Sequence, residues 1–141
     1  MDKASARKEI EKLRGELQKD QIPELLAKRR SINGTNILVT RVDGADPKQL
    51  REIADALKEK MGSSFIFLAS SAENSVTLVS TVSRDLTNRF HAGNIIKEVA
   101  PIVGGGGGGR PDFAQAGGKD PAKTDDVLKR VQEIINRPTT G

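Results

Sequence analysis

The stretch 104–118, GGGGGGRPDFAQAGG, holds the residues whose types and spacing bear most directly on function. Six consecutive glycines leave their backbone N–H groups unshielded, so the chain there can approach an anion or another backbone closely. Arg110 follows with a guanidinium that can meet phosphate or stack on a ring, and Pro111 then fixes the backbone. Phe113 and the amide of Gln115 complete the run. Three simpler readings are weaker. A flexible linker should join two folding units, and residues 110–141 are too few for a second core. The dinucleotide pattern GxGxxG matches any six glycines, but it should follow a strand, and residues 94–103 read as helix. A Walker loop closes on Gly-Lys-Ser/Thr, whereas this run ends Gly109-Arg110-Pro111. What remains is a glycine-built loop with a basic residue at its rim.

Catalytic motifs do not emerge. With no cysteine and a single histidine, there is no thiolate nucleophile, no Cys-built zinc site and no multi-histidine metal cluster. No catalytic residue, cofactor or metal is therefore expected. Asp125 and Asp126 open a helix, where the dipole accounts for them, and His91 reads as a surface or half-buried residue before another helix. Binding has more support. Arg84, Arg89, His91, Lys97, Arg110, Lys119 and Lys123 all fall in the segment that ends in or follows the glycines. Contact with RNA requires exposed cations for phosphates, backbone N–H groups for phosphate or 2′-OH, and flat groups for stacking. The glycines supply the second, and Arg110 supplies the first and third. Only 3% of residues are aromatic, which argues against a platform that reads single-stranded bases and fits recognition of a folded RNA by shape. Phe113 reads as core rather than as a stacking group. The RNA-contact expectation is Arg110, Gly106, Gly107, Gly108, Gly109, Lys97, Arg89, Lys119 and Gln115, with Gln115 also steadying the return path. A net charge of +4 points mildly the same way.

These residues need a scaffold, and the hydrophobic pattern describes one. Residues 1–30 read as a charged helix with a narrow seam at Ile10, Leu13 and Leu17, broken near Pro23. The basic run Lys28-Arg29-Arg30 reads as a solvated helix end, or alternatively as an RNA-facing cluster. A turn at Ser31–Gly34 separates a helical, coiled-coil-like arm (1–33) from a globular part (34–141). Asn36–Val42 reads as a strand. Asp46-Pro47 opens a helix whose apolar stripe runs Leu50, Ile53, Ala54, Leu57 and Met61 to a stop at Gly62. Ser64–Ser70 and Ser75–Val82 read as a hairpin, the first strand buried on both faces. Helices over about 92–102 and from Thr124 to about Pro138 follow. The expected architecture is α/β: a two-layer sandwich, β-α-β-β-α-α, on a three- or four-stranded mixed sheet. No 18-residue apolar span and no apolar leader are seen, so no membrane partner is expected and the chain reads as cytoplasmic.

GGGGGGRPDFAQAGG, preceded by HAGNIIKEVAPIV, closely resembles the C-terminal (DHHA1-type) domain of bacterial-type alanyl-tRNA synthetase. The resemblance covers about residues 36–136, and its non-glycine positions match at Arg110, Pro111, Ala114, Gln115, Gly117 and Gly118. It implies a tRNA-binding domain that holds the tRNA elbow, with tRNA-Ala as the expected partner. Aminoacylation and editing would belong to other domains, and a homodimer could form through the arm. Motifs for amino-acid activation and the His and Cys ligands of the editing site are missing, so no enzyme activity is expected of this chain alone. Beginning inside the arm, it reads as a fragment, a split product or a free-standing paralogue. Two rival readings stand beside this one. The accessory domain of a DHH-type phosphoesterase would bind nucleotides or oligonucleotides, although its glycine loop is followed by His where this chain has Arg110. An assembly module would self-associate without RNA.

Overall fold

A computed structural model describes residues 22–32 and 35–136. Most of the expected arm, including Ile10, Leu13 and Leu17, lies outside the described residues. The described chain begins with helix α1 (residues 22–27) and strand β1 (Arg30–Ile32). Then come β2 (Thr35–Arg41), α2 (Pro47–Met61), β3 (Ser64–Ser71), β4 (Val76–Val82), α3 (Ala92–Val99), β5 (Gly106–Gly109), β6 (Phe113–Gly118) and α4 (Thr124–Asn136). The strands form one mixed sheet in the order β1-β2-β3-β4-β6-β5.

Local sequence explains most of these elements. Asp46 accepts from the Gln49 amide while the Gln49 side chain accepts from the Asp46 amide, a reciprocal capping box with Pro47 in the first turn of α2. Gly62 ends that helix at φ 69°, a conformation that costs glycine little. β2 and β3 run parallel, joined through α2, and β3 pairs antiparallel with β4.

The sheet is covered on both faces, so the molecule has three layers rather than the expected two. Ile37, Phe65, Phe67, Ala69 and Leu78 pack with α3 and α4 on one face. Leu38, Ile66, Leu68 and Val79 pack with α2 and with Ile22 and Leu25 of α1 on the other. Successive residues of β3 thus feed opposite cores, which is why that strand is apolar throughout. Six strands stand where three or four were expected. β1 occupies part of the expected turn, and the glycine stretch is itself the β5–β6 hairpin rather than a loop. β6 pairs antiparallel with both β4 and β5, so β5 runs parallel to β4 with β6 inserted between them.

Candidate nucleic-acid interface

β5 is a strand without side chains. It pairs with β6 in the register Gly106↔Gly117, Gly107↔Ala116, Gly108↔Gln115 and Gly109↔Ala114. A Cβ added at Gly105, Gly107 or Gly109 would run into β6, 1.7 Å from the Gly117 oxygen, 2.6 Å from the Gln115 oxygen and 2.5 Å from the Phe113 oxygen respectively. At Gly106 it would meet nothing within 4 Å, and at Gly108 only the Lys97 side chain, 3.2 Å away at its Cε. The glycines therefore alternate. Every second one is required by close strand contact, and those between are open.

The same alternation sorts the backbone groups. The Arg110 amide donates to the Phe113 carbonyl at 2.8 Å, closing the hairpin. In an antiparallel ladder, pairs two residues apart share this pattern, so Gly108 and Gly106 bond to β6. Gly107 and Gly109 turn their amide groups away from it. Among the described residues β5 ends the sheet, so these groups form a free edge. Helix α3 covers part of it. A Cβ on Gly93 would come within 2.5 Å of the Gly109 oxygen, so only glycine lets the helix sit this close.

The turn of the hairpin is tied to the start of α3. The Ala92 amide donates to the Pro111 carbonyl at 2.9 Å and the Gly93 amide to the Arg110 carbonyl at 3.1 Å. His91 caps the helix, its Nδ1 accepting from the Asn94 amide at 3.0 Å. That leaves Nε2 as the protonated nitrogen of the neutral ring. With its first amides engaged in this way, α3 serves as a clamp on the Arg110–Pro111 turn. The Arg110 side chain reaches outward, 74% exposed, with its Nε 3.6 Å from the Asp112 carboxylate in an exposed ion pair. Lys97 lies across Gly108 from the exposed side of α3.

A family model described as "DHHA1 domain" matches residues 34–137. The chain belongs to the DHHA1 family. It is 43% identical over 138 residues to the alanine–tRNA ligase of Acetivibrio thermocellus, covering 97% of this chain and 16% of the ligase. The crystal structure of the C-Ala domain from Aquifex aeolicus alanyl-tRNA synthetase superposes with a TM-score of 0.71 at 31% identity. That match covers 78% of this chain and 99% of the other. This DHHA1 domain thus matches the C-terminal region of alanine–tRNA ligases, and it spans about a sixth of the length of that curated relative. A pGpG-specific phosphodiesterase superposes at TM-score 0.52 and 17% identity, covering 96% of this chain and 43% of that one; this shows shared fold alone.

Within the DHHA1 domain, the residues singled out from sequence are not all brought together. Arg110, Lys97 and Gly106–Gly109 share the free edge. Gln115 stands opposite Gly108, exposed on β6. Arg89 lies toward the other side of the sheet, donating to Thr35 Oγ1 at 2.7 Å and resting 5.4 Å from the centre of the Phe90 ring. Lys119 is at the opposite end of β6 from Arg110, roughly 20 Å along the strand at ~3.4 Å per residue. Phe113 is half-buried under the Arg51 guanidinium, 4.9 Å from the ring centre. Sequence reasoning passed over Arg51 and Gly93. Gly93 had a legible signal, a glycine inside an otherwise good helix; Arg51 had none, since one more arginine on a polar helix face stands out from nothing.

Proposed function

We propose that this chain is the tRNA-binding C-terminal domain of an alanine–tRNA ligase, holding the tRNA elbow by shape and phosphate contacts. Aminoacylation and editing then fall to other domains of the ligase, in the cytoplasm, and the chain has no catalytic role of its own. The observation that carries the reading is the free glycine edge. Outward amides of Gly107 and Gly109 flank Gly108, over which Lys97 lies, and Arg110 follows Gly109, so two cations stand beside backbone N–H groups that carry no side chains of their own. Amides there donate to phosphate or 2′-OH, the two cations neutralise phosphates, and none of this reads base identity. Discrimination among tRNAs is accordingly weak, because the elbow is similar in most of them. Lys119 and Arg89, set apart from the edge, have lesser roles in this reading.

The test is a titration at two salt concentrations with tRNA-Ala, an unrelated tRNA and a single-stranded oligomer of equal length. Both tRNAs should bind and the oligomer should bind less well. Arg110→Ala and Lys97→Ala should each weaken tRNA binding about tenfold and lower the log–log salt slope by ~0.7–0.9. Equal affinity for the oligomer, or wild-type affinity in both variants, would refute this placement of the site.

A further inference from the structure

The edge of the sheet opposite the glycines carries a cleft with different chemistry. β1 is three residues long, so among the described residues the outer side of β2 has no neighbouring strand beyond Ile37. Arg30 pairs with Ile37 in register, which puts both on one face of the sheet, and Val39 follows two residues later on that face. The face is the one that α4 packs against. Gln132, Ile135 and Asn136 of α4 lie at i, i+3 and i+4, on one side of the helix. Between these elements is a cleft of about 360 Å³, to which Lys28 also contributes.

Its lining falls into three kinds. Ile37, Val39 and Ile135 make an aliphatic floor and wall. Gln132 and Asn136 supply amides, each with a donor and an acceptor. Lys28 and Arg30 are exposed cations lining the cleft, and among the described residues neither forms an ion pair that would satisfy its charge there. Charge complementarity therefore calls for an anion at the rim, beside a body flat and apolar enough for the aliphatic slot and polar at its edge for the amides. The volume is that of a small-ligand site, not of a groove for a helix.

We propose that this cleft takes a single nucleotide. Its base sits between Ile135 and the Ile37–Val39 strand, its edge meets Gln132 and Asn136, and its phosphate meets Lys28 and Arg30. The nucleotide is either a free nucleoside monophosphate or an unstacked residue of a bound RNA. The site is independent of the glycine edge, from which β2 is separated by three strands, roughly 20 Å at ~4.8 Å per step.

The experiment is calorimetric titration of the full chain with AMP and the other nucleoside 5′-monophosphates, with adenosine and ribose 5-phosphate as half-ligands. A monophosphate should bind saturably and each half-ligand at least tenfold more weakly. Arg30→Ala and Gln132→Ala, both at exposed positions, should each weaken binding about tenfold. Arg110→Ala should leave it unchanged, and circular dichroism confirms that the variants are folded. Adding tRNA separates the sources: displacement of AMP marks an RNA nucleotide, and a ternary complex marks a free one. Absence of saturable binding up to about 10 mM would overturn the proposal. So would binding that Arg110→Ala abolishes and Arg30→Ala leaves intact. Neither result bears on tRNA affinity at the glycine edge, which the Lys97 and Arg110 variants report separately.

Discussion

Alanine substituted one position at a time along Gly105–Gly109 should give a stability profile with a period of two. The magnitudes follow from the contacts. Ordinary van der Waals contact begins near 3.4 Å, so the 1.7 Å approach at Gly105 would force β5 and β6 apart by more than 1 Å. The 2.5–2.6 Å backbone approaches at Gly107 and Gly109 require somewhat less. An N···O separation near 2.9 Å stretched by ~0.9 Å is no longer a hydrogen bond. Loss of the two to four bonds flanking each site, at roughly 0.5–1.5 kcal/mol apiece and partly replaced by water, costs about 2–3 kcal/mol. At Gly106, with nothing within 4 Å, alanine should be neutral or stabilising by up to ~1 kcal/mol, because it restricts the unfolded chain. At Gly108 it meets only the flexible end of Lys97. The contrast of about 3 kcal/mol between neighbouring positions corresponds to a difference in Tm on the order of 10 °C, within easy reach of urea or thermal denaturation. A flexible loop would show no alternation. If Gly105→Ala and Gly106→Ala agree within ~0.5 kcal/mol, β5 is not packed as a strand and the argument for a fixed edge fails.

Other consequences are smaller but as direct. His91→Ala removes the cap of α3 and should cost about 1 kcal/mol, while His91→Asn should recover most of it, as measured by urea denaturation. Arg41 joins the end of β2 to Asp43 and Asp125, each at 2.8 Å, and to Ser71 Oγ at 2.7 Å. Its side chain is one-third exposed, so Arg41→Ala should cost only about 1 kcal/mol, an effect that shrinks in high salt. Burial pushes the Asp43 carboxyl up, but hydrogen bonds from Arg41 and from the Ser71 hydroxyl and amide outweigh it and hold the group below the ordinary value. Asp85 is held down by Ser63 and Ser83. Carboxyls depressed in the folded state contribute stability that is fully present above their unfolded pKa, about 4, and is lost as pH falls through the folded value. Denaturation midpoints should therefore fall below about pH 4, and less so in an Asp43→Asn variant; an unchanged acid limb in that variant would refute the role given to Asp43.

Much of the scaffold was legible because its side chains advertise it. The capping box at Asp46 and Gln49, the stripe from Leu50 to Met61 and the uniformly apolar β3 each combine local preference with burial pattern. Three strands were not legible: β6, which lies within the stretch read as a glycine loop, and the two strands that end the sheet. β5 has no side chains, so it has no periodicity to read, and glycine's low strand preference points away from a sheet. β1 is three residues long beside an Asn-Gly turn signal, and its pairing with β2 is a tertiary fact. Missing β1 hid the second cleft as well, because Arg30 lines it. At the candidate interface, residue types were readable but proximity was not. Lys97 meets Gly108 only because Gly93 lets α3 settle onto β5, and nothing in the sequence sets Lys119 at the far end of β6 from Arg110.

The strand order carries a consequence for how the domain is made. β5 leaves the ribosome before β6 yet lies outside it, and it has no apolar side chain with which to hold a place beside β4. Until residues 113–118 have emerged, the gap between β4 and β5 stays empty and α3 covers an unfinished sheet. The edge offered to RNA is then among the last features to form during synthesis, so a nascent or truncated chain ending before Phe113 displays the same glycines and the same Arg110 without the surface they build.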